Sequence, residues 1–170
     1  MKLTIRSRTG PKICAIWAEN DGVIGINGDL ASYDTRDMKL FKTYTVGKTI
    51  LVGRKTLESF PAKLKGRETV CLTRDTSYKN DKADHIIHNP EDILKWHEKE
   101  VVICGGAEIY NIFLFQIEEA VITEFHTPLE RSATQVLTKA PDILKAKGTP
   151  NDFKLIARNE AFTTFKLNWG

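Results

Sequence analysis

No stretch of this 170-residue chain is apolar for more than six residues, Ile13 to Ala18, whereas a membrane-spanning helix needs about 20. The basic opening, Met1 to Lys12, has no apolar core of the kind a secretory signal carries. A cytoplasmic protein with no membrane partner is the expectation. Cysteine is scarce and odd in number: Cys14, Cys71 and Cys104 each lie among Val, Ile, Leu or Ala. Small core residues in a reducing compartment look like this; a disulfide framework does not. The four histidines show no ligand spacing, so no metal is expected. Net charge is only +3 and no aromatic-basic motif is present, which argues against nucleic acid. Repeats, low-complexity tracts and Ser/Gly linkers are absent too, so residues 1–170 are expected to form one domain. A chain of this length buries about two-thirds of its extended surface and needs no staple.

What is present is an ordinary globular mixture, 41% hydrophobic and 28% charged. Charge is unevenly spread: residues 1–67 carry 13 Lys/Arg against 6 Asp/Glu, and residues 68–170 carry 12 against 16. A basic first part suits a small anionic ligand, and equally a solvated surface. Short β-branched runs predict strands at Ile13–Ala18, Thr49–Val52, Thr69–Thr73, His85–Ile87, Val101–Cys104 and Ala120–Phe125. Helical patterns separate several of them, over Asp34–Thr45, Thr56–Ser59, Glu91–Glu98 and Ala107–Phe115. Phe153–Arg158 and Phe162–Leu167 read as a closing hairpin. The predicted fold is α/β, a central and mostly parallel sheet with flanking helices and a C-terminal antiparallel hairpin. Ligands of such sheets bind beyond the carboxyl ends of the strands.

Three places there invite chemistry. In Val101–Tyr110 a buried strand meets Gly105-Gly106 and then a helix, which is either a phosphate-approaching turn or simply a tight one. Gly53-Arg54-Lys55-Thr56 repeats that form with two cations, and Arg74 follows the next strand; an Arg fork with a Lys charge suits a phosphate monoester such as the NADP 2′-phosphate. Solvated surface charge is the competing reading. Gly47-Lys48-Thr49 is not a P-loop, because Lys42 stands where its first glycine is required. Asp37 is the third place. Helical spacing puts it on one face with Met38, Phe41 and Thr45, an apolar setting in which a carboxylate needs a partner. The alternative is a capping box with Asp34, and spacing alone favours capping.

Taken together, the chain resembles the dihydrofolate reductase family, with a three-layer αβα fold. Ile16-Trp17-Ala18 followed by Asp21–Leu30 is similar to the family's first strand and mobile active-site loop. Asp37 with Phe41-Lys42 resembles its acidic residue and pterin-facing aromatic. Gly53-Arg54-Lys55-Thr56 resembles its 2′-phosphate loop, and Leu64-Lys65-Gly66-Arg67 the segment that binds the substrate's glutamate tail. Cys104–Tyr110 resembles its pyrophosphate and nicotinamide turn, and Thr123 falls where the family places a hydroxyl supporting the acid.

The resemblance implies NADPH-dependent reduction of 7,8-dihydrofolate, antifolate binding and a monomer. Asp37 and Thr123 would be catalytic. Ile16, Ala18, Met38, Phe41, Phe60, Leu64, Arg67, Cys104 and Tyr110 would hold substrate. Ala18, Ile24, Gly25, Gly53, Arg54, Lys55, Thr56, Thr73, Arg74, Gly105, Gly106, Ala107, Glu108 and Ile109 would hold NADPH. Ala31-Ser32 replaces the family's Pro-Trp, Thr35 replaces a helix-starting proline, and its Gly-Asp-Thr brace is not recognisable around Arg131–Thr134. Residues 1–11 extend beyond the usual start. Two alternatives remain: the related pyrimidine reductase of riboflavin synthesis, and a non-catalytic NADPH-binding relative.

Overall fold

The computed structural model describes residues 10–170; most of the expected N-terminal extension, residues 1–9, lies outside the described residues. Eleven strands and five helices follow in chain order. The first strand, β1 (Lys12–Glu19), is the central apolar run extended by one polar residue at either end. Next come β2 (Val23–Ile26), β3 (Asp29–Leu30), α1 (Thr35–Thr45), β4 (Thr49–Gly53), α2 (Arg54–Ser59), β5 (Glu68–Leu72) and β6 (His85–Ile87). The remainder is α3 (Glu91–Leu94), β7 (Glu100–Gly105), α4 (Ala107–Ile112), β8 (Ile117–Phe125), β9 (Leu137–Lys139), α5 (Ile143–Lys147), β10 (Asp152–Arg158) and β11 (Phe162–Asn168).

Eight strands form one sheet in the order β10-β11-β8-β1-β7-β4-β5-β6. The pairs from β8 through to β6 are parallel, and β11 turns antiparallel against β8 to carry the closing hairpin. Side chains alternate across the pleat, so the sheet buries two apolar faces. Ile13, Ala15, Trp17, Leu51, Val101 and Ile103 pack with Ile93, Ile109 and Ile143 from α3, α4 and α5 and with Phe113 just after α4. On the other face Cys14, Ile16, Ile50, Val102 and Val121 pack with Phe41 and Tyr44 of α1, and Val52 and Cys71 with Leu57 of α2. The result is the three-layer arrangement expected.

Two helices are shorter than their patterns suggest. The run from Glu91 is helical only to Leu94, since Trp96 turns its indole back to donate to Glu68 (2.9 Å). The helix from Ala107 closes at Ile112, where Phe113 drops into the core as its cap. Thr73, expected to end a strand, lies just past β5 and gives its carbonyl to a His88 ring nitrogen (2.7 Å).

The segment expected as a mobile loop is a β2–β3 hairpin. Asn27 (φ 51°) and Gly28 (φ 82°) both take left-handed backbone at its tip, the Asn-Gly pairing that a tight two-residue turn requires. Strand β9 pairs with β2 to complete a second, three-stranded sheet. Asn27 N–H donates to the Val136 carbonyl and Val136 N–H to Asn27 Oδ1, both at 2.8 Å.

Candidate active site

Asp37 sits in the first turn of α1. Its neighbour Asp34 is the N-cap, accepting from Arg36 N–H at 2.8 Å and from the Arg36 guanidinium. The capping-box reading fails, because the Asp37 side chain turns to the sheet instead, where Thr123 Oγ1 donates to its Oδ1 at 2.8 Å. The carboxyl is half-buried on the apolar face beneath α1. Burial pushes its pKa up, the bond from Thr123 opposes that, and the nearby Asp34 charge adds to the rise. No other donor among the described residues reaches either oxygen, so the second oxygen remains available to a ligand.

Around this carboxyl the expected pterin contacts converge from four segments. Phe41 of α1, Phe60 just after α2, Leu64, Ile16 of β1 and Cys104 of β7 belong to one apolar cluster. Met38 lies at the rim, 37% exposed. Arg67 guards the other end: its Nε and Nη2 donate to the Lys65 carbonyl (3.1 and 2.8 Å) and its Nη1 to Thr45 Oγ1 (3.3 Å). Among the described residues no carboxylate pairs with it, and its charge is felt at the buried Cys104 thiol, whose pKa burial raises. A fork oriented by protein acceptors but left without a counter-ion suits an incoming carboxylate.

Tyr110 behaves differently from the expectation. It is only 3% exposed, packs edge-on to Trp17 (5.2 Å) within the opposite core, and donates its hydroxyl to the Ile16 carbonyl at 2.6 Å. Its ring thus packs in the core while its hydroxyl reaches Ile16 of β1 and the Gly105 turn, 3.6 Å from where a Cβ on Gly105 would stand.

The two glycine turns meet at one hydroxyl. A Cβ on Gly105 (φ 127°) or Gly106 would lie 3.3 or 3.5 Å from Thr56 Oγ1, and one on Gly53 only 3.1 Å from Ile109. A side chain would therefore be crowded at Gly53 and Gly105, where β4 and β7 end next to the start of α2, whereas Gly106 has room for ordinary contact. Arg54 and Lys55 precede Thr56 in α2, and Arg54 lies 5.7 Å over the Tyr78 ring. Arg74 reaches across to Glu108, at 3.3 Å and 91% side-chain exposure. The Thr56 hydroxyl, the glycine backbone and the three exposed cations gathered at these strand ends fit an anionic dinucleotide. Ile24 and Gly25 lie in β2 of the small sheet; Gly25 is buried against Asp29 and Thr138. Ala18, half-buried near the end of β1, precedes that hairpin.

Where the indole is missing, Ser32 Oγ receives Asn20 Nδ2 at 3.4 Å, and the same nitrogen holds the Thr127 carbonyl at 2.6 Å. Sequence reasoning missed the partner of Thr123: the buried Thr164 of β11 lies 2.7 Å from its hydroxyl. The alternation of Phe162, Thr164 and Phe165 gave no hint of it, since a threonine is ordinary in a strand. It also missed the brace from 136–140, whose signal was the Asn27-Gly28 turn.

The profile of the family described as dihydrofolate reductase matches residues 12–159. The chain is 36% identical over 120 residues to the dihydrofolate reductase of Lactococcus lactis subsp. lactis, covering 67% of this chain and 71% of that protein. It is 33% identical over 131 residues to that of Mycobacterium tuberculosis, covering 75% and 80%. Among solved structures, dihydrofolate reductase from Enterococcus faecalis complexed with NADP(H) and RAB-propyl superposes with a TM-score of 0.74 at 26% identity, covering 92% of this chain and 95% of that one.

Proposed function

The chain belongs to the dihydrofolate reductase family and reduces 7,8-dihydrofolate to 5,6,7,8-tetrahydrofolate with NADPH; we propose that it does so in the cleft between α1 and the ends of β1 and β7. The observation that carries this site is Asp37, a carboxyl kept on an apolar face, gripped by Thr123 through one oxygen, when a cap lay within its reach. The ionised carboxylate pairs with N3 and the 2-amino group of the pterin, an amidine-like edge that a carboxylate matches with two parallel bonds. That pairing fixes the ring's orientation. Ile16, Phe41, Phe60, Leu64 and Cys104 enclose its faces and exclude water, and Arg67 holds the tail carboxylate.

The chemistry supplied by NADPH when bound is hydride donation, to C6 of the pterin. Thr56, Arg54, Lys55 and Arg74 would hold its phosphates, and the glycine turns at Gly53 and Gly105-Gly106 would let it approach the backbone. Asp37 does not reach N5, because its pterin contacts lie on the far edge of the ring. The proton for N5 comes from solvent entering on the Ser32 side, where a hydroxyl tethered to Asn20 stands in the place of the indole.

We further infer one domain acting as a cytoplasmic monomer in one-carbon metabolism, open to antifolates in the same cleft. No helix among the described residues is long and apolar enough to cross a membrane. The outer strand β10 carries Lys154 and a bulge between Leu155 and Ala157, devices that discourage edge-to-edge pairing.

Loss of NADPH absorbance with dihydrofolate tests the reading. The native protein turns over, and Asp37→Asn lowers kcat/KM by about 100-fold or more, the range for a lost positioning and charge contact. NADPH binding with no turnover in the native protein would identify a non-catalytic relative instead.

A further inference from the structure

Thr164 stands directly opposite Thr123 across the β8–β11 pair, and both are buried, at 0% and 3% exposure. Their hydroxyl oxygens are 2.7 Å apart, and Thr123 is in turn 2.8 Å from Asp37 Oδ1. Each hydroxyl has one proton to give, and an ionised carboxylate can only accept. With Asp37 charged, Thr123 must therefore donate to Asp37 and must receive from Thr164. With Asp37 protonated on Oδ1 the line can run backwards, Asp37 donating to Thr123 and Thr123 to Thr164. In that second state Thr164's own proton is the one without an acceptor, so the pair of hydroxyls matches the ionised carboxylate better than the neutral one.

We propose that Thr164 is a positioning residue for the reductase reaction: by donating to Thr123 it sets that hydroxyl as a donor to Asp37 and so favours the ionised carboxylate. This rests on Asp37 being the pterin-binding carboxylate. The sign follows from relative strengths. A bond to a charged acceptor is about twice as strong as one between neutral groups, and a donor behind Thr123 polarises it further. Removing the Thr164 hydroxyl weakens the ionised state more than the neutral one, so Asp37 then titrates at higher pH. The charged groups near Asp37 do not offset this. Asp34, on the same helix, also disfavours a second negative charge. Arg36 is occupied by Asp34 and by Glu160 of the β10–β11 turn. From β1, Ile16 and Ala18 bring no charge; on the threonines' face of β8 and β11 the charged groups are Glu119 and Lys166, and Lys166 acts on Glu119.

Replacing a merely structural threonine by valine, which has the same shape, would cost stability but leave the Asp37 titration where it is. The experiment uses the full chain with carboxyl-labelled aspartate, reading the Asp37 resonance (identified by its disappearance in Asp37→Asn) across pH. In parallel, the pH dependence of kcat is followed with saturating NADPH and dihydrofolate. Thr164→Val is expected to raise the Asp37 titration by about half a unit to one unit, the equivalent of one ordinary hydrogen bond. The kcat profile moves the same way, and Thr164→Ser restores both. Should Thr164→Val not fold, Thr164→Ala, which also lacks the hydroxyl, gives the same readout. An unmoved titration in the valine or alanine variant, or a serine variant shifted as far, overturns the proposal. Absence of turnover in the native protein would instead strike the reductase reading, and the resonance titration distinguishes the two failures.

Discussion

A guanidinium with protein acceptors on three of its donors and no carboxylate partner is held ready for something outside the protein. Arg67 is in that state, and its ordering is done by residues that do not neutralise it: the Lys65 carbonyl and the Thr45 hydroxyl, itself tied to the Phe41 carbonyl at 2.7 Å. Contact with a tail carboxylate is made equally in the ground state and the transition state, being remote from the reacting carbon. Its loss should appear in binding alone. Arg67→Leu is expected to raise KM for dihydrofolate by about 10- to 100-fold, the worth of a charge-assisted contact, with kcat within a few-fold. Steady-state kinetics decide it, and an unchanged KM would place the tail elsewhere. Asp37 teaches a complementary lesson. Its spacing favours a cap, yet the cap is complete without it, because Asp34 already satisfies the first turn. Sequence spacing weighs what a side chain could reach locally and is blind to a hydroxyl 86 residues away.

At the level of elements, the strand-to-helix turns were legible because a buried apolar run followed by glycine and a polar helix start leaves few other geometries. The order of the strands within the sheet was not, since nothing local says that β1 lies between β7 and β8. The β2–β3 hairpin and β9 escaped because strands of two to four residues carry too little alternation to be recognised. The brace for that hairpin comes from 136–140 and not from the Arg131–Thr134 region where the family pattern was sought; Ala140 N–H donating to the Gly22 carbonyl at 2.7 Å closes it. The turn after β4 supports a sharper expectation. Arg54 and Lys55 are exposed just before Thr56 at the end of β4, and a phosphate on the adenosine ribose is the feature that separates NADPH from NADH. Arg54→Ala with Lys55→Ala should narrow the preference for NADPH by about 10-fold or more, two charge contacts being removed. The ratio of kcat/KM for the two cofactors measures this, and an unchanged ratio refutes the role.

Across the whole molecule, α1 is pinned to β8 at two polar points that respond to pH in opposite senses. At one, Glu119 at the start of β8 is 7% exposed and receives Tyr44 Oη at 2.5 Å and Lys12 Nζ at 3.2 Å. Burial alone would raise its pKa, but Tyr44 and Lys12 together bring it below the usual carboxylate value. At the other, Asp37 has its pKa raised, chiefly by burial. Glu119 therefore adds stability that is present above its unfolded pKa of about 4.3 and is lost as pH falls through its lower folded value. Asp37 does the reverse: its ionisation costs stability above its raised folded pKa, and the cost disappears below about pH 3.9. The fold thus holds one carboxylate to its own benefit and the other against it, as binding sites often require. At pH 7.5, Glu119→Gln should lower Tm by about 2–8 °C, for one to three kcal/mol of charged hydrogen bonding. Asp37→Asn, which keeps an acceptor for Thr123, should raise Tm by about 2–4 °C while removing turnover. Thermal melts repeated toward pH 4 should draw both variants back toward the native protein. A lower Tm for Asp37→Asn at pH 7.5 would mean that the carboxylate serves the fold, leaving no stability cost for ligand binding to explain.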